Sequence, residues 1–101
     1  MSNRLKLHEM LCKLLESRNV YFQPPESVKM KYPAIVYRLD DIENSFANDG
    51  VYFSKKRYSV TIITSDPDTD LVDKFTALPL CRFNRHYKSD NLNHYVFILY
   101  F

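Results

Sequence analysis

The run from His94 to Phe101 constrains the fold of this chain more than any other segment. Apolar residues occupy both sets of its alternating positions, whereas a strand in an antiparallel sheet normally turns one set towards water. Such a strand needs cover on both faces. Because chain ends usually fray unless they are tied down, we expect Phe101 to be built into the fold or into a neighbouring subunit. Oligomer formation is therefore the first functional hypothesis.

Size and composition favour one small domain. The chain has 101 residues, which the usual length prior assigns to a single domain over residues 1–101. A chain of this size buries roughly 65% of its unfolded surface, enough for one modest core. The sequence contains one glycine, Gly50, whereas phosphate-cradling loops need glycines so that backbone N–H groups can approach the ligand. The composition therefore argues against a nucleotide-binding site.

The charges are nearly balanced, with a formal net charge of +2, but they are separated along the sequence. Basic residues cluster at 55–57 and at 82–88, and acidic residues cluster at 40–43 and at 66–73. Nucleic-acid-binding proteins usually show a clear basic excess on one face, and this balance does not indicate one. Separated patches of opposite charge suit a protein that binds copies of itself.

Hydrophobic periodicity predicts two helices. Apolar residues at i, i+3, i+4 and i+7 spacing indicate an amphipathic helix over residues 3–18. A second helix is expected to begin with Asp68 or Thr69 at its cap and to end at Pro79.

Strand patterns separate and follow these helices, with a loop expected over residues 24–33. The predicted strands are residues 20–22, 34–39, 57–64, 80–87 and 94–101. Strict alternation in the fourth strand would place Cys81, Phe83, Arg85 and Tyr87 on one side of the sheet. Polar residues near 42–53, with a turn at Asn48-Asp49-Gly50, predict a mobile hairpin arm.

The order of these elements predicts an α+β fold. Most strands that follow one another in the chain are joined by turns, so we expect a mainly antiparallel sheet of four to five strands. Both helices are then expected to pack on one face of the sheet.

No residue pattern indicates a catalytic, cofactor-binding or metal site. Asp66–Asp70 begins like a calcium loop but lacks the glycine and glutamate that such a loop needs at positions six and twelve. His8 and Cys12 lie four residues apart on a predicted helix without a compactly spaced third ligand. Cys81 lies on a strand that is predicted to be buried, which disfavours a pairing with a downstream histidine as nucleophile and base. We therefore expect a protein that is not an enzyme and binds no cofactor.

The sequence also lacks the patterns of a secreted or membrane-spanning chain. No secretory leader opens it, and no apolar run approaches the roughly 18 residues of a membrane span. We expect a protein made in the cytosol, without membrane contact and with both cysteines reduced.

Several phrases resemble a known family. They are residues 20–25 (VYFQPP), 30–37 (MKYPAIVY), 56–61 (KRYSVT) and 91–101 (NLNHYVFILYF). Together they resemble the small tail-completion proteins of long-tailed phages and prophages, which are encoded near head–tail joining and tail-terminator proteins. The resemblance covers nearly the whole chain.

The resemblance implies a structural phage protein similar to a tail terminator. Such proteins form a hexameric ring on the finished tail tube, end tail polymerisation and provide the head-joining surface. Their fold is an α+β sandwich whose sheets continue around the ring. The partners implied are further copies of the chain, the tail-tube protein, the head-completion protein and, in passing, DNA in the lumen. The expected location is the tail-neck region of the virion, assembled in the bacterial host cytoplasm.

A ring requires two different surfaces on each copy, and the sequence offers candidates for both. The terminal strand can extend a neighbour's sheet, and the arm can reach an adjacent subunit or the tube. The predicted subunit or tube interface consists of Tyr52, Phe53, Lys55, Lys56, Arg57, Arg85, His86, Tyr100 and Phe101.

Two alternatives stay open at this point. The first is a head-completion or stopper ring in the neck, for which DNA affinity dependent on Lys55, Lys56 and Arg57 would be expected. The second is a non-enzymatic adaptor that binds a host protein.

Overall fold

The computed structural model describes residues 3–47 and 50–101, and the side chains of all of these except 43–47 and 50–55. Its elements are α1 (Asn3–Leu15), β1 (Val20–Phe22), β2 (Ala34–Ala47), β3 (Gly50–Thr64), α2 (Leu71–Thr76), β4 (Cys81–Ser89) and β5 (Leu92–Tyr100). This order confirms the predicted α+β class, with five strands and two helices.

The strands form one mixed sheet in the order β1-β2-β3-β5-β4. β1 runs parallel to β2, and the other neighbours are antiparallel. Asp90 and Asn91 join β4 to β5 with φ angles of 52° and 62°, the left-handed conformation that a two-residue hairpin of type I′ requires. Asp and Asn tolerate this conformation better than most residues, so the local sequence explains the tight turn.

β5 is an inner strand, paired with β3 on one side and with β4 on the other. Its backbone groups are therefore committed within the chain. The prediction that the terminal strand extends a neighbour's sheet is wrong for this reason.

Both helices pack on the same face of the sheet, called here the helix face. α1 contributes Leu7 and Leu11, and α2 contributes Leu71 and Phe75. Phe75 meets Phe97 of β5 with 5.4 Å between ring centroids. The other buried side chains of the sheet on this face are Ile35, Tyr37, Tyr58, Val60, Ile62 and Leu99.

The opposite face, called here the second face, is covered partly by the chain itself. The segment from Pro24 to Met30 lies over it and forms a cleft with residues of β2, β3, β4 and β5. On β5, Val96 and Ile98 are 4% and 8% exposed within a single chain. The apolar second face of β5 therefore needs no partner molecule to cover it.

β2 and β3 continue beyond the sheet as a long hairpin. Their pairing extends to Ala47↔Gly50, whereas the pairing of β3 with β5 ends at Arg57. The molecule is 51 Å long against 25 and 22 Å in the other directions, and its radius of gyration is 14.7 Å against about 13 Å for a compact chain of this length. The predicted arm is thus a strand pair. Asn48 and Asp49 of its predicted turn lie outside the described residues.

Three helix boundaries differ from the predicted ones. α2 ends at Thr76, three residues before Pro79. α1 ends at Leu15 because Glu16 takes a φ of 59°, and the N–H groups of Glu16 and Ser17 donate to the carbonyls of Lys13 and Cys12. This is a Schellman motif, which closes the helix three residues early. The cap of α2 is Asp70, and Thr69 instead accepts a hydrogen bond from the Leu71 N–H through its hydroxyl.

A polar cluster lies between α1 and the sheet. Tyr37 is fully buried, and its hydroxyl accepts a hydrogen bond from Arg4 (3.3 Å) and lies 2.8 Å from Nδ1 of His8. Burial lowers the pKa of His8, and the charge of Arg4 lowers it further. The neutral imidazole, with Nδ1 accepting the Tyr37 hydroxyl proton, is therefore the favoured form.

This cluster predicts a pH-dependent stability. The native state holds fewer protons on His8 than the unfolded state does, so the free energy of unfolding should decrease as pH falls below about 6.5, the ordinary histidine value. Urea denaturation between pH 7.5 and 5.5 measures this slope. His8→Gln should reduce the slope, because the substitution removes the titrating group. An equal slope in the His8 variant and the unmodified protein would contradict the assignment.

Candidate interaction surface on β4

β4 is an edge strand, and among the described residues it pairs with β5 alone. The Tyr100 N–H donates to the Leu80 carbonyl at 3.0 Å, which makes this pair hydrogen-bonded. Hydrogen-bonded and non-bonded pairs alternate in antiparallel sheets, so the backbone groups of Cys81 and Phe83 point away from β5. β4 therefore presents backbone donors and acceptors to which another strand can bind.

The side chains of β4 are also exposed. Every residue from Arg82 to Ser89 is exposed, including the large rings of Phe83 (47%) and Tyr87 (41%). Leu80, just before the strand, is 55% exposed. Apolar side chains along an open edge favour contact with another protein surface.

A β-bulge at Asn84 changes which side chains share a face. Phe83 is opposite Phe97, but Arg85 is opposite Val96, so one residue of β4 is extra. Because of this shift, Arg85 and Tyr87 lie on the second face while Cys81 and Phe83 lie on the helix face. The prediction that these four side chains share one side is therefore wrong.

Two histidine–tyrosine stacks flank the β4–β5 hairpin. His86 and Tyr95 stack on the helix face with a centroid distance of 4.7 Å, and Tyr87 and His94 stack on the second face at the same distance. The Arg85 guanidinium lies 5.3 Å from the centroid of the Tyr87 ring. Cross-strand aromatic pairs of this kind stabilise a hairpin, and here they also present flat surfaces to solvent. Since Arg85 and His86 lie on opposite faces, they do not form one patch.

Several other predicted interface residues serve the fold. Arg57 pairs with Asp40 at 2.9 Å and with Asp41 at 3.5 Å. A hydrogen bond that the Arg57 guanidinium donates to the Tyr100 side chain raises the pKa of Arg57 above its usual range, so this cation is held within the sheet. The Phe101 N–H donates to the carbonyl of Lys56 at 3.0 Å.

The remaining predicted residues differ in position. Phe101 packs against the helix-face core, as expected for a residue built into the fold. The Lys56 side chain is exposed at the base of the hairpin. Tyr52, Phe53 and Lys55 belong to β3, and their side chains lie outside the described part of the chain.

Leu80 is a surface feature that the sequence pattern did not reveal. Its φ is 58°, and it borders an apolar groove of about 340 Å³ together with Met10, Leu78, Pro79, Leu99, Tyr100 and Phe101. A leucine in this conformation costs roughly 1–2 kcal/mol because its Cβ approaches the following carbonyl oxygen. A strained and exposed apolar residue is expected where a surface serves a partner at the expense of stability.

The Cys81 thiol is half-buried, and burial raises its pKa to about 11. The thiol is therefore protonated at neutral pH, which opposes the thiolate that nucleophilic attack requires. The nearby histidines have other partners, since His86 contacts Asn93 at 3.1 Å and His94 contacts the Leu92 carbonyl at 3.1 Å. Cys81 thus lacks the activated base that the alternative of a catalytic pair requires.

The described residues offer neither a metal site nor a membrane-spanning helix. No group of three or more His, Cys, Asp or Glu side chains in the described part of the chain is placed to hold a metal ion. Within the same residues, no helix is long and apolar enough to cross a membrane.

The comparisons with known proteins add no family. No protein-family model matches the sequence, and no curated protein matches it. The fold and the surface around β4 are therefore the features from which a function can be inferred.

Leu80 provides a direct test of strain at this surface. Leu80→Asn should raise the free energy of unfolding by about 0.5–1 kcal/mol, because asparagine tolerates a positive φ and the lost side chain is mostly exposed. Thermal and urea denaturation at low protein concentration measure the change. Leu5→Asn, at a leucine of similar exposure on α1, should give no gain. A loss of stability in the Leu80 variant would show that this leucine serves the fold.

Proposed function

We propose that this chain is a ring-forming structural subunit of a tailed phage or prophage particle, of the tail-terminator type. The observation that carries the proposal is the open edge of β4, with its outward backbone groups and its exposed Phe83 and Tyr87. In this role the protein caps the tail tube, ends its polymerisation and presents a surface for joining the head. The role is non-enzymatic and requires no cofactor.

A closed ring needs two different, complementary surfaces on each copy. The first is β4. The second is the outer edge of β2, because β1 pairs with residues Ile35 to Tyr37 and no strand in the described part of the chain pairs with that edge beyond Leu39. Pairing of β4 on one copy with this edge on the next would continue the sheet from subunit to subunit.

Charge supports this choice of partner surfaces. β4 carries Arg82, Arg85 and Lys88, and β2 carries Asp40, Asp41 and Glu43 just where its outer edge becomes free, although Arg57 already pairs with Asp40 and Asp41 within the chain. Opposite charges on the two edges favour β4 against β2 over β4 against β4, which would bring like charges together. The basic side chains also protect β4 from indiscriminate pairing.

The hairpin of β2 and β3 supports the same role. Beyond Arg57 its strands pair with each other and extend away from the five-stranded sheet. The six residues from Ile42 to Ala47 span about 20 Å, which is enough to reach across an adjacent subunit.

The oligomeric state tests the proposal. Light scattering coupled to size exclusion should show a concentration-dependent hexamer, about 73 kDa for six chains of 12.1 kDa, or monomers that assemble on purified tail tubes. Phe83→Lys should abolish assembly, because it adds a charge to the exposed edge. Since the Phe83 ring also contacts Phe97 with 5.5 Å between centroids, circular dichroism must show that the variant is folded.

Tyr32→Lys is the matched control for this experiment. Tyr32 is 46% exposed, close to the 47% of Phe83, but it lies in the loop far from β4 in sequence. The control variant should assemble like the unmodified protein. A protein that stays monomeric at all concentrations and ignores tubes, or a Phe83 variant that assembles normally, would refute the proposal.

A further inference from the structure

We propose that the second face of the sheet binds single-stranded nucleic acid through Arg82, Arg85 and the stack that Tyr87 forms with His94. This site lies on a face of β4, whereas the subunit contact proposed above uses its edge. Arg82 and Arg85 count in both proposals, but the aromatic stack and the adjoining cleft serve this site alone, and the site does not require a ring.

Arg82 and Arg85 are the cations available on this face. In the described part of the chain, no carboxylate lies within ion-pair distance of either side chain, and both side chains are exposed. Arg38 and Arg57 share the second face but contact Asp40 at 3.8 and 2.9 Å. The acidic residues of β2 thus neutralise Arg38 and Arg57, whereas the two arginines on the β4 side lack such partners among the described residues, although the acidic residue Glu26 lines the adjoining cleft.

The bulge at Asn84 sets the spacing of the two arginines. Arg82 is opposite Ile98 and Arg85 is opposite Val96, so they occupy successive positions of the second face. Successive positions on one face of a strand are about 7 Å apart. Strict alternation would have turned Arg85 to the helix face, where it would oppose Tyr95. The extra residue therefore brings both cations to the same surface.

The aromatic stack supplies the second element of the site. Tyr87 and His94 are nearly parallel, with an interplanar angle of 12°, and Arg85 lies over Tyr87. Tyr87 and His94 also line a cleft of about 300 Å³ between the sheet and the segment that contains Val28 and Met30. A base can extend this stack beside either end, on the Arg85 guanidinium plane or next to His94 in the cleft.

These features fit a nucleic acid strand better than an acidic protein segment. Carboxylates would pair with the arginines but would make no use of the flat stack or the adjoining cleft. In a nucleic acid strand, the backbone phosphates would pair with the arginines, and the exposed bases would pack on the stack and in the cleft. A double-stranded ligand conceals its bases from stacking, so we expect a preference for single strands.

Fluorescence anisotropy with a labelled 20-nucleotide oligo(dT) tests the site. Binding should weaken as salt rises, and the combined Arg82→Ala and Arg85→Ala variant should lower the slope of log K against log [salt] by about 1.4. Tyr87→Leu should weaken binding about five- to hundredfold without changing that slope, and Tyr87→Phe should retain binding.

The matched control removes the same charge elsewhere. Lys6 and Lys13 are exposed residues of α1, on the other side of the sheet, and the Lys6→Ala, Lys13→Ala variant should bind within twofold of the unmodified protein. Circular dichroism checks the folding of each variant. An equal loss in this control, or an unchanged affinity in Tyr87→Leu, would show that net charge alone drives binding and would overturn the proposal.

Two further outcomes separate this inference from the ring. No binding to oligo(dT) at 50 mM salt, in a sample that light scattering shows to be hexameric, overturns the nucleic-acid site and leaves the ring intact. Binding by a monomer supports the site without any contribution from the ring. Duplex DNA that competes as well as oligo(dT) would overturn the preference for single strands. Polyglutamate that competes as well would overturn the preference for nucleic acid over an acidic protein segment.

Discussion

The pairing of β5 on both of its edges is the constraint on which the rest of the structure depends. It places Phe97 and Leu99 at the centre of the helix face, where α2 covers them through Phe75. It also places β4 at the edge of the sheet, because β3 occupies the other side of β5. The most apolar strand, β5, is therefore part of the core, and the edge strand β4 provides the proposed surface for association.

Much of this arrangement follows from local patterns in the sequence. Hydrophobic residue patterns predict α1 and the short strand at Val20, and turn-forming residues predict the turn at Asp90-Asn91. The order of the strands could not be predicted this way, because it depends on which edges pair at long range. The Asn84 bulge and the positive φ of Leu80 could not be predicted either, because neither residue type by itself indicates the conformation that it has here.

The interface residues are likewise predictable from the sequence only in part. Exposed Arg85 and His86 were found from charge clustering, but the clustering could not show that the bulge puts them on opposite faces. Arg57 and Phe101 belong to predicted clusters yet serve the fold through Asp40, Tyr100 and the Lys56 carbonyl. Phe83 and Leu80 are large apolar residues of the kind usually found in a core, and only the three-dimensional arrangement shows that they are about half exposed.

The two surfaces of β4 have different proposed roles. Its edge joins subunits, and its second face binds single-stranded nucleic acid. Both assignments depend on β4 being open in the isolated chain. Hydrogen exchange at the β4 amides, measured in dilute and in assembled protein, tests this most directly. The outward N–H groups of Cys81 and Phe83 should exchange rapidly in dilute protein and become protected on assembly. Equal protection in both samples would contradict an open β4 edge that closes on assembly.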